Sequence, residues 1–190
     1  MGLAPDDLIT ELLVAVAQLA LGVAGFSGIA IYFKRRPGRL TEIEVYRIAI
    51  LFLNSGAAMF LSLIPFPLQA FGLQPATLWR TCSALMALFE LMFFMYYLPH
   101  SQRYRHKIPA LFNRYSLVLT YSGGLGNLAL QTANALGLAG PRQAAVYMVG
   151  AVWLLFHATF QFGRILFVQP PEEVEPDIEP TESMAGGSGT

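Results

Sequence analysis

Five long apolar segments, with basic residues gathered in alternate connections, constrain this chain more than any other feature. The segments fall near residues 12–33, 48–71, 78–98, 115–138 and 144–168. A helix rises about 1.5 Å per residue, so about 20 residues cross a hydrocarbon core of roughly 30 Å. Each segment has that length. The period-2 alternation over about 10 residues that marks a membrane β-strand is absent. The expected fold is therefore all-α: a polytopic transmembrane bundle of five spans.

Composition agrees. Of 190 residues, 55% are hydrophobic and 13% charged, against roughly 25% charged in an ordinary soluble domain. Mean hydropathy is +0.50. A water-soluble chain of this length has too little volume to hide five helices that are apolar nearly all round. Lipid removes the problem by covering their outward faces.

The basic residues give an orientation. Lys34, Arg35, Arg36, Arg39 and Arg47 follow the first span; Arg103, Arg105, Lys107 and Arg114 follow the third; Arg164 ends the fifth. Only Arg80 and Arg142 fall on the other side. The positive-inside rule then expects the N-terminus outside and the C-terminus inside, with a bacterial cytoplasmic (inner) membrane as the location. Residues 1–11 form a short extracytoplasmic start, 12–168 the transmembrane domain, and 169–190 an acidic cytoplasmic tail. The tail holds six acidic residues and no basic one, so it is expected to be disordered. No basic residue precedes the first span, so it is not expected to be a cleaved signal. Lys34, Arg35, Arg36, Arg39, Arg103, Arg105 and Lys107 are the expected contacts to lipid headgroups. Tyr32, Phe33, Tyr46, Tyr96, Tyr97, Tyr104 and Tyr115 read as an inner aromatic belt, and Trp79 and Tyr147 as an outer one.

Each span carries a small or polar stripe at helical spacing. The stripes are Glu11, Gln18, Gly22 and Gly25; Arg47, Asn54, Ala58 and Ser62; Ser83, Ala87 and Glu90; Ser116, Thr120, Gly123, Asn127, Gln131 and Asn134; and Trp153, His157, Gln161 and Arg164. These faces are expected to turn inward. Lipid tails do not drive helices together, so close packing and interhelical hydrogen bonds must. Gly22, Gly25, Gly28, Gly123 and Gly124 are the expected points of close approach. Pro65 and Pro67 should end or kink the second span near its outer end.

Glu90 and His157 are the ionisable residues at depth. Counted from the starts of two parallel spans, both lie roughly 18–20 Å in, and Asn127 falls near the same level. An ionised carboxylate at a helix centre costs roughly 2.5–3.5 kcal/mol, and the five Leu and three Phe of the third span return about 2.5–5 kcal/mol. Glu90 is thus expected to be neutral, or paired with His157 or an arginine. Intramembrane ionisable groups are candidates for a pathway or ligand role, so Glu90, His157 and Asn127 form the candidate site.

Several chemistries lack their residues. No Gly-rich phosphate loop, HExxH or Gly-x-Ser-x-Gly elbow occurs. Cys82 is the single cysteine, so no cysteine-based metal or cluster site can form within one chain. No metal, cofactor or nucleic-acid partner is expected, and no enzymatic activity. Expected partners are membrane lipids and a second copy or another membrane protein. The expected role is a non-enzymatic accessory, scaffold or sensor component. The alternative is a small transporter or proton/ion pathway through Glu90 and His157.

Overall fold

A computed structural model describes residues 5–34, 42–107 and 114–167. Among the described residues the chain is helical and has no strand. The helices are α1 (Pro5–Lys34), α2 (Glu42–Leu63), α3 (Pro65–Ala70), α4 (Pro75–Lys107), α5 (Arg114–Ala135) and α6 (Gln143–Phe167), with a 3₁₀ turn at Gly140–Arg142 before α6. Four stretches are long and apolar enough to cross a membrane: Leu8–Phe33, Glu42–Ala70, Pro75–Arg103 and Gly140–Phe167. The expected fourth span, α5, is 22 residues long but too polar to join them.

The long helices run antiparallel in sequence order. At one end Tyr46 of α2 stacks on Tyr97 of α4, Arg47 of α2 donates Nη2 to the Arg164 carbonyl of α6, and Ser101 of α4 meets Tyr121 of α5 at 2.7 Å. At the other end Tyr147 of α6 donates its hydroxyl to the Leu61 carbonyl of α2, and Arg80 of α4 donates Nε to the Ala135 carbonyl of α5 at 3.1 Å. The main core gathers Leu13, Val16 and Ala20 of α1, Ala58 and Leu61 of α2, Cys82 and Met86 of α4, and Tyr147, Ala151 and Leu154 of α6.

The prolines act as their chemistry requires. Pro65 starts α3 directly after α2, with Ile64 in the α region between them. A regular helix would send the residue-65 amide to the Leu61 carbonyl, and proline has no such proton. The Tyr147 hydroxyl fills that vacancy from α6. Tyr147 is fully buried, which corrects its expected place in an interfacial belt. Tyr46 and Tyr97 are likewise buried, whereas Tyr32, Phe33, Tyr96 and Tyr115 are exposed. Pro99 does not end α4, which continues to Lys107, past the end of the expected span at residue 98. One lost backbone bond is tolerated there, and side chains add others: His100 Nδ1 lies 2.8 Å from the Tyr96 carbonyl and Ser101 Oγ 3.0 Å from that of Leu98.

α5 ends in a left-handed residue, Gly137 (φ 85°). The Gly137 amide reaches the Asn134 carbonyl and the Leu138 amide that of Ala133, the paired bonds of a glycine C-cap. Arg80 then covers the remaining carbonyls of Ala135 and Leu136, where positive charge also suits the helix dipole. These hydrogen bonds give Arg80 a helix-capping role.

Of the five stripes, that of α5 points inward throughout its polar members: Ser116, Thr120, Asn127, Gln131 and Asn134 are all buried. Asn54, Ala58 and Ser62 of α2, Ser83 and Glu90 of α4, and His157 and Gln161 of α6 are buried too. The α1 stripe is a correction. Glu11, Gln18 and Gly25 are exposed, and α1 buries Leu13, Val16, Ala17, Ala20 and Ser27 instead. Ala17 and Ala20 already give the smooth surface that packing requires, so the glycine face is not needed for it.

Candidate functional site: a buried polar lattice between α2, α4, α5 and α6

The polar side chains form two hydrogen-bonded groups. The first joins α4, α5 and α6. Asn134 Nδ2 donates to the Gln143 carbonyl at 2.9 Å and to Ser83 Oγ at 2.7 Å. Ser83 Oγ donates to Gln131 Oε1 at 2.9 Å. Gln131 Nε2 donates to the Val146 carbonyl at 3.0 Å and to Asn127 Oδ1 at 3.3 Å. Asn127 Nδ2 donates to Glu90 Oε1 at 2.9 Å. Each amide is thereby fixed in one orientation: a flip would place acceptor against the Gln143 or Val146 carbonyl at Asn134 and Gln131, and donor against the Gln131 amide at Asn127. Glu90 is 3% exposed, and its partner is an amide rather than a cation.

The second group joins α2, α5 and α6 around His157. Asn54 Nδ2 donates to the Ile50 carbonyl at 2.8 Å, which turns Oδ1 toward His157 Nδ1 at 3.2 Å. That oxygen can only accept, so Nδ1 carries the proton. Nε2 then accepts from Gln161 Nε2 at 3.0 Å and from Thr120 Oγ1 at 3.5 Å. Gln161 Oε1 accepts from Arg164 Nη1 at 3.2 Å, which orients the amide for that bond. The imidazole also stacks on Trp153 and meets the edge of Phe93, with ring centres 6.1 and 5.8 Å apart.

The candidate residues therefore divide. Asn127 and Glu90 touch. His157 shares the interior but makes no hydrogen bond or ion pair with either, so of the two alternatives expected for Glu90 the pairing with His157 is not formed. Ser83, Gln131, Asn134 and Gln161 carry more of the lattice than the sequence suggested. Gly150 was missed altogether: a Cβ there would lie 2.9 Å from Asn127 Oδ1 and closer still to Gln131 Nε2 and Met86 Sδ. Its signal was an ordinary glycine with no partner in its own helix.

Gly123 and Gly124 receive the ring of Trp153 from α6 and that of Phe94 from α4. At Gly22, Gly25 and Gly28 a Cβ would meet nothing within 4 Å. Of the expected headgroup contacts, Arg35, Arg36 and Arg39 lie outside the described residues, as do the side chains of Lys34, Arg105 and Lys107. Arg103 is exposed near the end of α4. The acidic segment 169–190 also lies outside the described residues. Among the described residues, no three His, Cys, Asp or Glu side chains come together as a metal site would need.

No family model, no curated protein and no solved structure matches this chain.

Proposed function

We propose that this chain is a five-span integral protein of a bacterial cytoplasmic membrane, with its N-terminus outside and C-terminus inside. On this reading it serves as a non-enzymatic accessory, scaffold or sensor component. The observation that carries the reading is the unbroken run of hydrogen bonds from the Gln143 carbonyl through Asn134, Ser83, Gln131 and Asn127 to Glu90. Its members hold three helices in one register. Most are carboxamides, which neither gain nor lose protons readily, so the run suits fastening better than conduction. The antiparallel packing supports the five-span count, since α5 returns the chain from the end of α4 to the start of α6.

The second reading, a small transporter or proton/ion pathway, draws on one observation: a carboxyl group sits in the interior of an apolar bundle, and such groups commonly mark pathways. Proteoliposomes separate the two. The expected result is no proton or cation flux above empty vesicles for wild type, Glu90→Gln or His157→Ala. Wild-type flux that vanishes in Glu90→Gln while the protein stays folded would overturn the fastening role in favour of transport.

A further inference from the structure

We infer that the cleft formed by the start of α2 and the ends of α4 and α6 binds a phosphate-class oxyanion between Arg47 and Arg164. Arg47 is half-buried and donates Nη2 to the Arg164 carbonyl. Arg164, also half-buried, holds Nη1 3.2 Å from Gln161 Oε1, with its guanidinium carbon 6.0 Å from the centre of the Phe160 ring. Both cations are thus fixed in place by neighbours before any ligand arrives. They act on each other electrostatically, with Glu44 supplying an opposing charge to Arg47.

A cavity of about 10 Å³ opens at this point, lined also by Tyr46, Tyr97 and Gln161. That is room for one water or one anion oxygen. An anion at this opening faces both guanidinium groups at once. Guanidinium forks match the oxygens of a phosphate group, which gives geometry as well as charge. A whole phosphate ion overfills the cavity, so the group sits at the rim with one oxygen inserted.

Two sources carry this chemistry: the headgroup of an anionic phospholipid and free phosphate from the aqueous phase. The lipid source rests on the membrane reading above. The cleft lies at the end of the bundle where that reading places the basic connections, within reach of both.

The test uses the full chain in nanodiscs. Native mass spectrometry compares lipid retention from phosphatidylcholine discs with and without phosphatidylglycerol, and calorimetry titrates inorganic phosphate into discs of phosphatidylcholine alone. The expected result is saturable binding in at least one arm. Retained phosphatidylglycerol assigns the lipid and a phosphate isotherm the free anion. Loss of a charge-assisted bond should weaken binding about tenfold to a hundredfold in Arg47→Gln or Arg164→Gln, with Arg142→Gln at the far end unchanged. Arg47→Lys and Arg164→Lys keep the charge without the fork, and should bind severalfold more weakly even where the glutamine variants do not fold. No binding in either arm, lysine variants that bind like wild type, or equal weakening by Arg142→Gln would each overturn the site. A chain that is monodisperse without detergent overturns the membrane reading alone, and leaves the phosphate arm to decide this one.

Discussion

Replacing Tyr147 with Phe should be costly only while Pro65 is present. The Tyr147 hydroxyl donates to the Leu61 carbonyl, the acceptor that lost its own helical donor to Pro65. Both Tyr147 and Leu61 are buried, at 0% and 7% exposure, so no solvent replaces the bond. A net hydrogen bond contributes about 0.5–1.5 kcal/mol, and a stranded buried acceptor costs about 1–3 kcal/mol. Measured interhelical bonds in a bilayer average about 0.6 and reach about 1.7 kcal/mol. Tyr147→Phe should therefore destabilise by about 1–1.5 kcal/mol, close to tenfold in the unfolding equilibrium. In a Pro65→Ala background the residue-65 amide returns to Leu61, and the same substitution should cost only a few tenths of a kcal/mol. The coupling between the two positions is then about 1 kcal/mol. Titration with sodium dodecyl sulfate in mixed micelles, followed by tryptophan fluorescence, measures it across the four proteins. Equal costs of Tyr147→Phe in both backgrounds would refute the idea that the hydroxyl replaces the missing amide.

The glycines give a paired prediction. Gly150→Ala forces a methyl group against Gln131, Met86 and Asn127 and should destabilise by about 1–3 kcal/mol. Gly25→Ala meets nothing within 4 Å and should be neutral or stabilising by up to about 1 kcal/mol; the same detergent titration reads both. For topology, reporter fusions within residues 35–41 and 108–113 should report the cytoplasm, and fusions within 71–74 and 136–141 the opposite side. Opposite signals from the first two loops would defeat the five-span arrangement.

What the sequence disclosed followed from periodicity. In α5, polar residues at spacings of three and four had to share a face, and with α4 and α6 beside it that face had to be the inner one. Periodicity says which residues lie together, not which neighbour they meet. In α1 two stripes were available, and the alanine face took the interior while Glu11, Gln18 and Gly25 turned outward. Counting residues placed Glu90, Asn127 and His157 at one depth, but depth leaves the angle around the bundle open. Asn127 turned to Glu90 and His157 to Asn54. Tyr147 was illegible for a different reason: its partner is a carbonyl on another helix, released by a proline that no local pattern connects to it.

On the proposed five-span reading, α5 is the helix that hydropathy alone leaves out. A lone helix with Thr120, Asn127, Gln131 and Asn134 along one side would strand those groups in hydrocarbon, at several kcal/mol for each unsatisfied one. In the folded chain each has partners on α4 or α6, the helices that precede and follow it in sequence. Apart from Ser116 Oγ and Asn134 Oδ1, which are buried without a hydrogen-bond partner, the polarity along this side of α5 is therefore answered by its two nearest neighbours along the chain. On the proposed membrane reading, α4, α5 and α6 enter the bilayer as one three-helix unit. The residence of α5 there is a property of that unit, set by Ser83, Glu90 and the close approach of Gln131 and Asn127 to the bare backbone of Gly150, rather than of its own apolar content. The same residues that exclude α5 from a count of apolar spans are the ones that fix it between α4 and α6.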